Sequence, residues 1–579
     1  MLDRLVIRNF KAFEEVEIEL GEAVVFIGPN NSGKTSALQA LALWELGVRR
    51  WRERRAGKDV PKERSGVTIN RTDMVAVPAP HTNLLWRDLH VQRGEKVDGK
   101  TRTRRIYIEI EVHGVAERRS WTCGMEFYYA NSESIYCRPL GGGRQAGNGA
   151  PGVPEAAAST RVAFLPPMSG LTASETRLDP GAVQVRLGEG RTAEVLRNLC
   201  YQVHTGSGSP QEWEQLVGRI HELFGVQLDV PTYVQERGEI RMTYRNERDV
   251  RLDLSAAGRG LQQTLLLLAY LDVNPGSVLL LDEPDAHLEI LRQRQIYNTL
   301  TEVARERGCQ VIAASHSEVL LNEAADRDVV IAFVGAPHRI DDRGSHVAKA
   351  LKAIGFEQYY QAEQKGWVLY LEGATDLAIL RAFARALGHP AAAHLERPFV
   401  HYIGNDIRRA WEHFFGLRES KPDLVGVMLT DRLDRKRESS DALLDFMWER
   451  REIENYLCFP EVLEAYAEHL ARDQAAGELF EAPQADRYRQ AMSEAIAERV
   501  PPIALRDRAE RWWRDVKASD DFLDPVFESF FRSLELPNLM RKSDYHRLAG
   551  DVPAELLADE IGEKLDRIAE VAGRARPLG

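Results

Sequence analysis

The chain has 579 residues, 44% of them hydrophobic and 28% charged, a formal net charge of -12 at pH 7, and five scattered cysteines. This length predicts about two to four domains, and no apolar run approaches the ~20 residues of a membrane span. The composition excludes a disulfide framework, so we expect a cytoplasmic protein without a membrane partner, in which any nucleic-acid binding depends on local basic patches.

A phosphate-binding loop follows the third predicted strand. Residues 2–20 alternate between apolar and polar positions in two runs, and the apolar run 23–27 predicts another strand. The next segment fits Gly-x-x-x-x-Gly-Lys-Thr and leads into a helix; it comprises Gly28, Pro29, Asn30, Asn31, Ser32, Gly33, Lys34 and Thr35. Its backbone N–H groups can surround a phosphate, Lys34 can reach the β- and γ-phosphates, and Thr35 can bind Mg²⁺. The pattern predicts a nucleotide site, with ATP as the cofactor.

Further motifs lie far downstream. The opening strands and the loop resemble the head domains of ABC-type ATPases, which include the SMC and RecF proteins. This resemblance implies a signature motif that binds nucleotide held by a second subunit, and therefore at least a dimer. The matching residues are Ser255 and Gly258 in the signature, which departs from the usual Ser-Gly-Gly-Gln form, Asp282 and Glu283 after an apolar strand, and His316 after the next strand. Asp282 would hold Mg²⁺, Glu283 would activate water, and His316 would sense the γ-phosphate.

The residues from about 45 to 240 predict an α+β arm inserted in the ATPase head. Residues 101–130 alternate like strands, and residues 191–225 have helical patterns. Residues 49–64 hold eight basic and three acidic side chains, and residues 93–105 hold six and two. Each basic segment is either a solvated surface or a patch that follows phosphates.

A second α/β pattern begins near residue 366. Apolar strands at 367–371, 399–403 and 424–429 alternate with helices, which predicts parallel βαβ units. Because the carboxyl ends of parallel strands meet at one edge, we expect Glu372 and Asp431 to face the same crevice. Carboxylates suit Mg²⁺ or Mn²⁺, and paired ions ~3.5–4 Å apart can hydrolyse phosphodiesters.

This second region resembles the Toprim domains of topoisomerases, primases and recombination nucleases. With the ATPase motifs, the segments LEGATD, TDRLD and REIENYL resemble the OLD family of nucleases, which includes the ATPase–nuclease subunit of the Gabija anti-phage system. The resemblance implies catalytic roles for Glu372 and Asp431, and its metal ligands would be Glu372, Asp376, Asp431, Asp434, Glu452 and Glu454. Leu433 occupies the second position of the family's Asp-x-Asp pattern. Either Asp434 replaces that ligand through a local shift, or one metal site is weakened.

The predicted fold class is α/β: an ABC-type ATPase domain at 1–345, a Toprim nuclease domain at 366–460 and a helical region at 461–579. In this last region Lys542 either contacts phosphate or, as we prefer, lies at the surface, and the segment around it resembles one near the family's nuclease site. The leading hypothesis is a homo-oligomeric ATPase and metal-dependent endonuclease that cuts DNA in anti-phage defence, with a separate defence protein as a candidate partner. Two alternatives remain open. One is an ATP-dependent scaffold or sensor whose Toprim site is degenerate, and the other is a Toprim ribonuclease.

Overall fold

The computed structural model describes residues 1–55, 66–97, 100–140, 152–206, 210–325, 327–340, 354–404, 406–436, 438–474, 478–553, 557 and 559–577. The chain forms two units, Met1–Ala348 and Lys349–Gly579. Part of the basic segment 49–64 lies outside the described residues. Among the residues described, no helix combines the length and apolar character needed to cross a membrane.

A mainly parallel sheet forms the centre of the first unit. Its order is β10-β16-β17-β3-β18-β19, and only β19 runs antiparallel to its neighbour. The strands are β3 (Ala23–Ile27), β10 (Val162–Leu165), β16 (Val278–Asp282), β17 (Gln310–Ser315), β18 (Val329–Ala332) and β19 (His338–Arg339). Every residue of β3, β16 and β17 is buried, which accounts for their nearly continuous apolar sequences.

Helices cover both faces of this sheet. Leu280 and Ile312 belong to a core shared with α1, whereas Leu279 and Val311 belong to a core shared with α4 to α7. Successive residues of a strand point to opposite faces, so one strand serves both cores. The helices are α1 (Lys34–Arg55), α2 (Glu155–Ser159), α3 (Pro180–Gly188), α4 (Leu196–Thr205), α5 (Pro210–Phe224), α6 (Arg259–Val273), α7 (Ile290–Glu306) and α8 (Glu318–Ala324).

The inserted residues extend the N-terminal strands into a second, antiparallel sheet. Its order is β2-β1-β7-β8-β9-β4, so strands of the predicted arm pair directly with the start of the chain. These strands are β1 (Leu2–Phe10), β2 (Phe13–Glu19), β4 (Val67–Asn70), β7 (Ile108–Ala116), β8 (Arg119–Asn131) and β9 (Ser134–Pro139). Smaller sheets contain β5 (Gln92–Val97) with β6 (Lys100–Arg105), β11 (Gln227–Leu228) with β14 (Thr243–Arg245) and β15 (Arg251–Asp253), and β12 (Thr232–Val234) with β13 (Glu239–Arg241).

The second unit has a fully parallel four-stranded sheet in the order β21-β20-β22-β23. The strands are β20 (Trp367–Leu371), β21 (Val400–Tyr402), β22 (Val425–Thr430) and β23 (Leu443–Met447). The helices are α9 (Phe356–Lys365), α10 (Ala374–Ala386), α11 (Ala391–Leu395), α12 (Ile407–Ser420), α13 (Pro460–Gln474), α14 (Glu478–Ala497), α15 (Pro502–Arg506), α16 (Arg511–Asp515), α17 (Asp524–Ser533) and α18 (Asp559–Arg574). Leu369, Phe527 and Ile568 share one core, so the sheet and the C-terminal helices pack together. The predicted α/β class with a helical C-terminal region is confirmed.

Candidate functional site

The phosphate-binding loop connects β3 to α1. Gly33 has a φ of 100° and Asn31 a φ of 65°, both in the left-handed region that favours glycine or asparagine. A Cβ atom on Gly33 would lie 2.9 Å from the Phe13 ring, and one on Gly28 would lie 2.9 Å from the carbonyl oxygen of Phe333. Backbone conformation and close packing therefore both require glycine in this loop.

Lys34 and Thr35 begin α1 and connect the loop to the end of β16. The buried Lys34 Nζ donates hydrogen bonds to the carbonyl oxygens of Gly28, at 2.8 Å, and Pro29, at 2.7 Å. Thr35 Oγ1 donates to the carboxylate of Asp282, at 3.0 and 3.1 Å from its two oxygens. The order of β16, β17 and β3 in the sheet explains this contact between residues far apart in sequence.

Three more predicted residues lie beside this contact. Burial raises the pKa of Asp282 to about 6. Burial also lowers the pKa of Lys34, although the negative charges of Glu283 and Asp282 oppose that shift. Glu283 has a φ of 50°, and its Oε1 atom lies 3.7 Å from Nδ1 of His316. The structure thus brings Lys34, Asp282, Glu283 and His316 to one edge of the sheet.

Ser32 shows that the loop suits a phosphate group. Its hydroxyl oxygen is buried and has no hydrogen-bond partner among the described residues. Buried hydroxyl groups are normally paired, and a phosphate oxygen would supply the partner. Asn30 and Asn31 are exposed at the mouth of the loop. The donors present therefore fit the triphosphate of ATP.

The two predicted signature residues, Ser255 and Gly258, lie just before α6. Ser255 Oγ donates a hydrogen bond to Asp253 Oδ1 at 2.6 Å, and Arg197 also donates to this carboxylate oxygen, at 3.0 Å. Gly258 is the exposed residue that precedes α6. Gln263 on α6 donates to the carbonyl oxygen of Pro284 at 3.3 Å, which links the signature helix to the turn after Glu283. Ser255 and Gly258 remain exposed to an external ligand.

A second set of acidic residues converges at the carboxyl edge of the other sheet. Glu372 follows β20 and Asp431 follows β22, and these strands are parallel neighbours. Asp376 lies in the first turn of α10, where its Oδ2 accepts the backbone N–H groups of Glu372, at 3.1 Å, and Gly373, at 3.3 Å. The side chain of Asp431 interacts directly with that of Glu372, which places these two carboxyl groups side by side at the sheet edge.

Burial and mutual repulsion raise the pKa values of three carboxyl groups, those of Asp376, Asp431 and Glu454. Burial, followed by the charge of Glu372, raises the pKa of Asp431 well above its usual range. Burial raises the pKa of Asp376 to about 6, and burial followed by the charge of Glu452 raises the pKa of Glu454 to about 8. In the described part of the chain, no group of three or more His, Cys, Asp or Glu side chains is arranged as a ready-made metal site. As a donor set, however, buried carboxylates fit a hard divalent cation, which would relieve their repulsion.

The buried Glu452 and Glu454 lie in a turn that the C-terminal region holds. Glu452 accepts the backbone N–H of Ser519. Asn455 Nδ2 donates to the carbonyl oxygen of Trp513 at 3.0 Å. These two contacts fix the position of the acidic turn, which belongs to no strand and to no long helix.

Sequence reasoning missed part of this surrounding shell. Lys542 Nζ lies 3.1 Å from Ser519 Oγ and 3.2 Å from Asp520 Oδ1, and its charge lowers the pKa of Glu454 in part. The sequence left Lys542 either in contact with phosphate or at the surface; its side chain is 45% exposed and lies beside the acidic turn. Ser519 and Asp520 gave no sequence signal because they are far from the carboxylates along the chain.

Asp434 differs from the other predicted ligands. Its side chain is exposed, and the carboxylates that raise the pKa of Asp431 are Glu372, Asp376 and Glu454. The next residue, Arg435, donates two hydrogen bonds, of 2.5 and 2.7 Å, to the buried Asp445 and thereby anchors the loop. The metal-ligand role of Asp434 stays a prediction.

Two family models match parts of the chain. The "AAA ATPase domain" model matches residues 1–44, which include the phosphate-binding loop. The model described as "AAA domain, putative AbiEii toxin, Type IV TA system" matches residues 202–322, which include Ser255, Asp282 and His316. The chain therefore carries an ATP-binding ATPase domain.

Individual proteins give further similarity. An "OLD nuclease" of Thermus scotoductus is 42% identical over 43 residues, which are 7% of this chain and 8% of that relative, so the match spans less than a tenth of the relative's length. An SMC head domain from Thermotoga maritima is 15% identical, with a TM-score of 0.31, and the match covers 58% of this chain and 98% of that one. An SmcHead bound to the C-winged helix domain of ScpA is 13% identical, with a TM-score of 0.33 and coverage of 58% and 97%.

Proposed function

We propose that the chain combines an ABC-type ATPase with a metal-dependent Toprim endonuclease that nicks or cuts DNA in anti-phage defence. The observation that carries this proposal is a set of five carboxyl groups from three separate segments whose charges act on one another near one sheet edge: Glu372, Asp376, Asp431, Glu452 and Glu454. The short similarity to an OLD nuclease supports the same chemistry.

In the first unit, the loop residues bind the triphosphate of ATP. Lys34 neutralises phosphate charge, while Thr35 and Asp282 are placed to hold Mg²⁺. Glu283 orients and deprotonates the attacking water, and His316 contacts the γ-phosphate. The exposed Ser255 and Gly258 bind nucleotide held by a second copy, so the active form is at least a dimer.

In the second unit, Glu372 and Asp431 are the central ligands of Mg²⁺ or Mn²⁺. When bound, such a cation would lower the pKa of the attacking water and stabilise the leaving oxygen. Two backbone N–H groups orient Asp376 toward this site, and the amide of Ser519 orients Glu452. Lys542 places a positive charge beside the same turn, where it would offset phosphate charge.

The scaffold alternative has one specific observation in its favour. Leu433 cannot bind a metal ion, and Asp434 is exposed. If the site requires a ligand at position 433, the second unit would hold another protein without cutting nucleic acid. A ribonuclease would use the same carboxylates.

Incubation of supercoiled plasmid with Mg²⁺ or Mn²⁺, with and without ATP, tests the proposal. We expect the wild-type chain to nick or linearise the plasmid and Asp431→Ala to lose this activity. Lys34→Ala should lose ATP hydrolysis. Plasmid cleavage by this variant then shows whether ATP activates or restrains the nuclease. Cleavage of RNA alone would favour the ribonuclease, whereas intact ATPase activity without cleavage of either substrate would favour the scaffold.

A further inference from the structure

A ridge of positive side chains lies next to the carboxylates of the second unit. We name the basic rim by its members: Arg432, Arg451, Arg511, Arg514 and Lys517. Arg432 directly follows Asp431, and Arg451 directly precedes Glu452. The rim therefore begins one residue away from two members of the acidic cluster.

Backbone and side-chain contacts join the three segments of the rim. The backbone N–H of Arg451 donates to the carbonyl oxygen of Arg514 at 2.9 Å, and that of Arg432 donates to the carbonyl oxygen of Arg451 at 3.1 Å. Arg451 Nη1 also donates to the carbonyl oxygen of Asp515 at 3.3 Å. The loop after β22, the turn before Glu452 and helix α16 thus form one continuous surface.

Helix α16 presents its arginines outward because its aromatic side anchors it. Trp513 is buried, and its Nε1 donates to the carbonyl oxygen of Ala504 at 2.9 Å. The side chains of Arg511 and Arg514 are 79% and 59% exposed. Both guanidinium groups are therefore accessible to a large ligand.

Within the ion pairs of the rim, positively charged side chains outnumber carboxylates. In the described residues, Arg432, Arg511 and Arg514 share one carboxylate, that of Asp515. Hydrogen bonds from Arg511 and then Arg432 lower the pKa of Asp515 to about 2, so this carboxylate is fully charged and still offsets only one of three guanidinium groups. Lys517 shares Asp520 with Lys542.

We propose that the basic rim is the surface along which the phosphodiester backbone of a nucleic acid lies as it enters the carboxylate site. Any ionised carboxylate of the acidic cluster repels a polyanion, and the unbalanced cations beside the cluster would offset that repulsion. Arginine suits this role because its planar group can donate two parallel hydrogen bonds to a phosphate. The inference rests on the proposed nuclease function and adds the residues that hold the substrate. DNA and RNA share the backbone chemistry, so both are probes in the test.

The test measures binding by the full-length chain in EDTA, where no metal-dependent cleavage occurs. Labelled duplex DNA and single-stranded RNA of equal length are titrated at several salt concentrations. For duplex DNA, the negative slope of log K against log salt becomes less steep by about 0.9 for each phosphate contact that is lost. Arg511→Ala/Arg514→Ala should therefore reduce the steepness of this slope by about 2 and weaken binding about 30-fold at ~0.15 M salt. Arg511→Lys/Arg514→Lys should keep the salt dependence of the wild type because the charges remain, which also shows that lost charge, not misfolding, weakens binding by the alanine variant.

Arg472→Ala/Arg532→Ala is the matched control. These arginines lie on α13 and α17 with 54% and 77% exposure, and each pairs with a glutamate one helical turn away. The control should change affinity by less than about twofold because salt screens distant charges. Equal weakening by both alanine pairs, unchanged binding by the rim pair, or no salt-dependent binding by the wild type would overturn the inference. Rim-dependent binding without cleavage would instead overturn the proposed nuclease and leave the rim standing.

Discussion

Replacement of Glu454 by glutamine tests whether burial and repulsion within the acidic cluster destabilise the folded chain. Glu454 is 4% exposed, and burial followed by the charge of Glu452 raises its pKa from 4.5 to about 8. Glutamine keeps the shape of the side chain and removes the ionisable group. The variant should therefore be more stable than the wild type wherever the unfolded wild type ionises this carboxyl while the folded wild type keeps it protonated.

The sign and size of the effect follow from the pKa difference. Because the folded-state pKa is raised, the stability contributed by neutral Glu454 is fully present below about pH 4.5 and is lost as the pH rises through about 8. The two pKa values give a cost of about 1 kcal/mol at pH 5 and about 3 kcal/mol at pH 7. For a unit of this size, Glu454→Gln should raise the Tm by about 2–4 °C at pH 5 and about 6–12 °C at pH 7.

Scanning calorimetry of the full-length chain in EDTA measures this difference. Glu528→Gln is the control, because its side chain is 64% exposed and should leave the Tm unchanged at both pH values. Added Mg²⁺ should stabilise the wild type more than Glu454→Gln. A Tm difference that is absent at pH 7, or equal at pH 5 and pH 7, would refute the assignment of the raised pKa to the cluster.

Two further substitutions separate the predicted roles. Glu283→Gln should keep ATP binding, because Lys34 and Thr35 are untouched, and should lower the rate of phosphate release by about 10²–10⁴-fold; a rate equal to that of the wild type would show that Glu283 does not activate water. Asp434→Asn should leave metal-dependent plasmid cleavage unchanged because the side chain is exposed, whereas Asp431→Asn should lower it by at least about 100-fold. Similar losses in both aspartate variants would place Asp434 among the ligands.

The convergence of strand ends was the part of the architecture most accessible from sequence. The rule that carboxyl ends of parallel strands share an edge was sufficient to place Glu372 near Asp431, whereas the motif pattern and the ABC-type resemblance assigned both Thr35 and Asp282 to Mg²⁺. Alternation also predicted the strands between residues 101 and 130. Alternation could not identify the neighbouring strand, because it indicates which side chains are buried and contains no information on strand pairing. In the structure, β7 pairs with β1.

Contacts made by the C-terminal region were not accessible. The helical patterns after residue 460 indicate burial but contain no information on which surface is covered. The contact of Ser519 with Glu452 and the positions of Arg511 and Arg514 depend on tertiary packing around Trp513. Leu433 is a different case, because the sequence itself shows that an apolar residue replaces a carboxylate of the Asp-x-Asp pattern. Metal binding, measured directly, decides whether this replacement weakens the site.

Titration of the full-length chain with Mn²⁺ in the absence of nucleotide, followed by electron paramagnetic resonance, tests most directly whether the carboxylates of the second unit form a metal site. The wild type should bind Mn²⁺ saturably, and Asp431→Ala should weaken that binding by at least about tenfold because a central ligand is lost. Equal Mn²⁺ binding by the wild type and Asp431→Ala would contradict a metal-dependent nuclease site at this sheet edge.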